Sequence, residues 1–214
     1  MRSPGQSTTL LLALTLALAA CGSTGRSGKD SRATSMPPTA DGAREKAVFL
    51  EVLQELGDKG GAAGFDPEVL DAQAQRFAAV VAWYDAGELV SPAQHFWAGA
   101  TLVRSDEPMH LVLAEFLGAS AALLGEYRGR LVQAEARDRT AMLVGEPQPY
   151  GTQSVYVPIT GSWRLYAVDP RTTDEERRAM GLPTLTELEA RANARNSDEL
   201  TERLRQEFIR PSIP

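Results

Sequence analysis

One cysteine and two histidines in 214 residues leave little material for chemistry that needs soft or titratable ligands. With a single thiol no internal disulfide can form, so in an oxidising compartment the fold rests on its core alone. His95 and His110 stand apart, each without Cys partners or a carboxylate at i+3 or i+4, which argues against a metal site and for surface or packing roles. No G-x-S-x-G, no Ser-His-Asp order and no metal signature occurs. The glycine-rich run Gly57–Gly64 lacks the Lys-Ser/Thr ending of a phosphate loop and reads as a plain connector. Nothing implies a cofactor. The chain also lacks a basic surplus, with 22 Lys plus Arg against 28 Asp plus Glu. Nucleic-acid binders show basic patches, so that partner class is disfavoured. The most apolar run, Leu10 to Leu18, is too short for a bilayer, which needs ~20 apolar residues.

What is present begins with that short run. Arg2 and the amino terminus give a positive region, the apolar stretch follows, and Leu18-Ala19-Ala20-Cys21 closes it, with Gly22 behind. This is the layout of a targeting segment, to be set aside before any fold reasoning. A large aliphatic residue, two small ones and then cysteine resemble the lipobox of bacterial lipoproteins. The resemblance implies cleavage before Cys21, diacylglycerol on its sulfur and acylation of the new amino terminus. Three acyl chains exceed the two signals that stable anchoring needs. The expected partner is therefore a membrane, held through lipid on Cys21, with the domain in the periplasm beside the cell membrane or the outer membrane. Gly22 in place of Asp is the pattern that in enterobacteria permits export to the outer membrane.

Residues 1–20 are thus read as signal peptide, and 21–42 as lipidated cysteine and tether. The tether is rich in Gly, Ser, Thr and Pro and cannot bury enough apolar area to order itself. Loss of Arg2 on cleavage leaves 21 basic residues against 28 acidic, a mature charge of −7. That charge disfavours adhesion to anionic lipid and leaves the anchor to hold the membrane. Residues 43–214 are of a size for one domain.

Within 43–214 helical spacing dominates. Phe49, Val52, Leu53 and Leu56 share a face of a helix over Ala43–Leu56, with Gly57 placed to end it. Asp66-Pro67-Glu68 is a helix start, and Leu70, Ala74, Phe77, Val81 and Tyr84 recur behind it. Ser91-Pro92-Ala93-Gln94 has capping-box spacing, with Phe96, Trp97, Ala100 and Val103 as the apolar side. Ser105 or Asp106 is expected to cap a helix from Met109 to about Leu124, apolar enough all round to be the central one. Tyr127–Val144 follows, ended by Gly145. Gln153–Ile159 and Ser162–Val168 flank a Thr160-Gly161 turn and read as a β-hairpin or extended loop. Thr173 or Asp174 opens a short helix ended by Gly181, Pro183 precedes another, and Ser197 caps a last one bearing Leu200, Leu204 and Phe208. The expected fold is mostly α, antiparallel helical hairpins with a small β-hairpin or extended insertion near 150–169. Trp83, Trp97 and Trp163 are expected in packing rather than in one aromatic cleft, and the acids 174–176 as helix-start stabilisers.

One segment stands apart: Gly145-Glu146-Pro147-Gln148-Pro149-Tyr150-Gly151-Thr152-Gln153, constrained in backbone and rich in amides. Tyr127, Leu131, Ala134, Asp138 and Ala141 form a stripe that places a carboxylate on a face meant for burial, and a buried carboxylate needs partners. Asp138 is expected to accept hydrogen bonds from the 148–153 loop. Arg139, its sequence neighbour, points elsewhere. Asp138, Arg139, Gln148, Tyr150, Thr152, Gln153 and Trp163 are the candidates for ligand or partner contact, with no catalytic and no metal residue among them. Amides are neither nucleophiles nor bases, so the loop itself reads as architectural before it reads as a binding lip.

Together with Gly161-x-Trp163, Val168-Asp169, Thr173-Asp174-Glu175-Glu176-Arg177 and Leu182-Pro183-x-Leu185, the G-x-P-Q-x-Y-G-T-Q core resembles an uncharacterised bacterial family, domain of unknown function 6624, across residues 66 to 195. The family supplies no activity to carry over. Its members end the helix at 91–104 in Gln-His where this chain has Val103-Arg104, and neither His95 nor His110 lines up with that histidine. The expected function is a membrane-anchored envelope lipoprotein of unknown biochemical activity, with a non-enzymatic partner-binding or structural domain. The alternative is an envelope enzyme or small-ligand binder with a pocket beside the 146–153 loop.

Overall fold

A computed structural model describes residues 37–58 and 67–197. Cys21 and its lipobox, most of the Gly57–Gly64 connector, and the helix expected after Ser197 lie outside the described residues. The described residues form seven α-helices and one two-stranded sheet: α1 (Ala43–Asp58), α2 (Pro67–Asp85), α3 (Pro92–Leu102), α4 (Pro108–Leu123), α5 (Gly129–Leu143), β1 (Ser154–Val157), β2 (Ser162–Leu165), α6 (Asp174–Ala179) and α7 (Leu185–Ala194). The mostly α class with a small antiparallel hairpin is what the periodicities imply.

The amide of Ala43 donates to Thr39 Oγ1 (3.1 Å) and Asp41 Oδ1 (3.2 Å), so the last residues assigned to the tether cap α1. The buried face of α1 is Arg44, Glu45, Val48 and Val52, while Leu53 turns outward. Glu45 is fully buried and takes both Nε and Nη2 of Arg44, whose guanidinium lies 3.9 Å over the Trp83 ring. Val52 of the expected stripe is inside and Phe49 packs on Trp97, but an ion pair takes part of the buried face that the spacing assigned to apolar groups.

The buried face of α2 is likewise offset by one residue: Val69, Phe77, Val80 and Trp83 are inside, and Leu70 and Tyr84 outside. Phe77 is common to both faces, and a shift of one position turns a helix by 100°. The capping box on α3 is present, with Ser91 Oγ accepting from Gln94 N and Gln94 Oε1 from Ser91 N (3.0 Å). α3, not α4, is the central helix: it touches α1, α2, α4 and α5, and Phe96, Ala98 and Gly99–Val103 are all buried. The hydrophobicity of α4 goes partly to a solvent face instead. Its N-cap is Glu107, which makes no side-chain cap, while Ser105 Oγ accepts from Glu107 N and bonds His110 Nδ1 (2.8 Å).

The α4–α5 hairpin is close because both helices present glycine at the crossing. A Cβ added to Gly118 would stand 2.7 Å from Gly129 O and 2.8 Å from Gln133 N. α5 starts two residues later than its periodicity implies, and Tyr127 and Leu131 of the expected stripe are exposed; Val132, Ala134, Ala136 and Asp138 are inside. The hairpin pairs Tyr156 with Trp163 and Val155 with Arg164. Thr173 and Thr184 build capping boxes on α6 and α7. α7 packs on β2, and Asn196 brackets the Trp163 backbone through N–H (2.6 Å) and C=O (3.2 Å).

Candidate functional site

Asp138 is fully buried on α5, and its two oxygens are spent on the loop. Tyr150 N donates to Oδ1, and Thr152 N and Oγ1 both donate to Oδ2, each at 2.7 Å. Burial pushes the Asp138 carboxyl above its ordinary value, and these donors pull it part of the way back. Between the two donor residues, Gly151 has φ +88°, a left-handed conformation that glycine adopts without strain.

Gln148, also fully buried, closes the other side. Its Nε2 donates to Gln153 O (2.9 Å) and Tyr166 O (3.0 Å), while its Oε1 accepts from Gln153 N (2.8 Å). Its backbone forms a parallel bridge to Val168, through Gln148 N to Ala167 O and Asp169 N to Gln148 O. Gln153 Nε2 donates to Thr152 Oγ1. The polar groups of the motif therefore serve one another.

Arg177 holds the loop from outside, a role that sequence reasoning missed. Its Nε donates to Tyr150 O (3.0 Å) and its Nη1 to Thr172 O and Asp174 Oδ1, with the side chain 2 % exposed. Its place in an acidic helix start hid it, since Arg in such a run ordinarily faces water. Arg137 reaches Tyr150 Oη (3.2 Å) while paired to Glu115. Arg139 turns to Asp106 and Ser105 O, away from the loop. Trp163 is remote from Asp138 in role, stacked by Arg195 at 3.7 Å and met by the tilted Tyr156 ring at 5.7 Å. The three tryptophans occupy separate settings: Trp83 in the core, Trp97 beside Phe49 and Phe96, Trp163 on the hairpin. The two histidines are likewise apart, His110 against Phe77 and His95 with burial lowering its basicity. No His/Cys/Asp/Glu cluster able to hold a metal occurs among the described residues.

A cleft of about 620 Å³ lies on the far side of the loop, between α5, the hairpin and α7. Gly151 and Thr152 form part of its wall, with Glu135, Leu188, Arg191 and Arg195 around it. Of the candidates for ligand or partner contact, Thr152 lines it and the others do not. Glu135 pairs with Arg104 (2.8 Å); burial raises its carboxyl, opposed by Arg104 and Arg139. Arg191 and Arg195 are one helical turn apart, a spacing visible in the sequence but uninformative until α7 meets the hairpin.

The second surface feature is on α4. Met109, Val112 and Phe116 are each more than half exposed, and Ala119 and Leu123 continue the line. The intervals of three and four residues make a heptad-like seam. Tyr84 of α2 stands edge-on to Phe116 at 6.0 Å and widens it. No helix among the described residues is long and apolar enough to cross a membrane. Comparison of the chain with protein families, with curated proteins and with solved structures found no match.

Proposed function

We propose that the chain is a lipid-anchored protein of the bacterial cell envelope that works by binding a protein partner along the α4 seam. The observation that carries this reading is the run Met109-Val112-Phe116-Ala119: large apolar groups at coiled-coil spacing on a helix whose opposite face is already buried. Such a seam takes an amphipathic partner helix, knobs into holes. The anchor rests on Leu18-Ala19-Ala20-Cys21, and the likeness of residues 66–195 to an uncharacterised bacterial family adds no chemistry to it. The amide-rich loop supports the reading indirectly, because its donors and acceptors are used internally and not offered to a substrate.

Protein extracted from its own membranes is expected to sediment as an assembly larger than one chain. Val112→Asp with Phe116→Asp should reduce it to the single chain while the chain keeps its helical content and a cooperative melt, since both side chains are about half exposed and outside the core. A wild-type protein that sediments as a single chain overturns the proposal.

The cleft supports a second reading, a small polar ligand held between Glu135 and the Arg191–Arg195 pair, favoured by the raised carboxyl of Glu135 at its wall.

A further inference from the structure

The tether joins the domain at a particular place. Gly42 lies so close to α3 that an added Cβ would stand 3.0 Å from both the Ala93 backbone and Trp97 Cδ1. The same Trp97 ring is covered by Arg128 at 5.3 Å and by Lys46 Nζ at 5.5 Å. Arg128 belongs to the turn between α4 and α5. Trp97 therefore ties the point where the tether arrives to that turn.

The turn is Leu123-Leu124-Gly125-Glu126-Tyr127-Arg128, and its apolar side chains stand in water: Leu123 88 %, Leu124 55 % and Tyr127 69 % exposed. Cations frame it. Arg130 lies 5.6 Å from the Tyr127 ring, Arg128 stacks on Phe96 while bonded to Glu126, and Lys46 is beside Trp97. Val90, just before α3 and so at the same end, is 73 % exposed. Leucines at a tip, tyrosine behind them and arginines around it match the layers of a membrane interface: acyl chains, glycerol level and phosphates.

We infer that the α4–α5 turn is a second membrane contact, dipping Leu123, Leu124 and Tyr127 into the lipid surface to which Cys21 is fixed. The inference rests on the lipoprotein reading. The 21 residue steps from Cys21 to Gly42 span at most about 75 Å, so a lipidated Cys21 keeps the domain within that reach of the lipid. Three side chains alone would bind a vesicle weakly, but an anchored chain meets lipid at an effective concentration of millimolar order or higher. The chain's net negative charge is not concentrated here, because the turn itself is neutral, Arg128 being paired to Glu126.

The test uses the lipidated full-length mature protein in vesicles of phosphatidylethanolamine and phosphatidylglycerol. A nitroxide is placed on Leu124→Cys or, as the control at the opposite end of the α4–α5 hairpin, on Val144→Cys. The ratio of collisions with dissolved oxygen to collisions with a water-soluble nickel chelate is expected to be about five-fold higher at 124 than at 144. Adding Leu123→Glu should abolish the difference while the protein still floats with the vesicles. Equal ratios at 124 and 144 in floating protein overturn the contact and leave the anchor standing. Protein that does not float overturns the anchor, and the contact with it.

Discussion

Asp138 shows how one residue organises a site without taking part in chemistry. A carboxylate placed on a helix face that packs inward is tolerated only when donors meet it, and three do, each at 2.7 Å. The Asp138→Ala variant would leave the Tyr150 and Thr152 amides and the Thr152 hydroxyl buried without acceptors. The loss is expected at about 3 kcal/mol by urea denaturation, and a variant as stable as the parent would remove Asp138 from this role. The partnership is legible in the sequence because a single acid interrupts an inward face and a constrained, donor-rich loop follows it. Arg177 is not legible there. Nothing in Asp174-Glu175-Glu176-Arg177 distinguishes an arginine that caps a helix in water from one buried against Tyr150 O.

At the scale of the element, local signals serve well and long-range ones do not. Ser91 with Gln94 announces the start of α3, and Thr160-Gly161 the hairpin turn, because a cap or a turn is decided by a few neighbours. Which face of α2 lies inside is decided by the other helices, and there the pattern Leu70-Ala74-Val81-Tyr84 misleads by one residue. α4 is the larger failure. Its apolar surplus reads as centrality, yet α3 is central and α4 shows Met109, Val112 and Phe116 to solvent. Hydrophobicity counts what a helix prefers to cover and does not say whether its own chain covers it. Glycines matter more than any apolar residue in setting the α4–α5 contact. Gly118→Ala would place a methyl against Gly129 O and the Gln133 amide, both backbone and unable to rotate away. Prying the helices apart is expected to cost about 3 kcal/mol, read as a lowered melting temperature. An unchanged value would mean that the hairpin is looser than its geometry.

For the whole molecule, the proposed membrane and partner surfaces share one helix. The turn at the end of α4 faces the lipid in our inference, so the seam from Phe116 back to Met109 runs away from that end, reachable by a partner anchored nearby. Between seam and hairpin sit two acids whose carboxyls burial raises, Glu135 and Asp138. A raised carboxyl means that the folded chain binds the proton more tightly than the unfolded one. Its contribution to stability is complete below the ordinary value, 4.5 for Glu135, and is lost as pH rises through the folded value. Asp169, Asp174, Glu176 and Glu187 act oppositely, their carboxyls lowered by Arg171 or by backbone donors, but Glu176 and Glu187 are exposed, Asp169 and Asp174 are only part-buried at the surface, and solvent screening keeps all four contributions small. Through these two carboxyls the domain is expected to melt at a falling temperature as pH climbs from about 4.5, while His95, whose basicity burial lowers, adds stability as pH rises through its ordinary 6.5 and opposes the fall there. Glu135→Gln should flatten that fall, because the neutral side chain has no proton to lose, though Arg104 then keeps a weaker partner. Thermal scans of both proteins across this range decide the matter. Parallel curves would show that Glu135 is as well solvated as any surface acid, and the cleft wall would lose the carboxyl that burial raises.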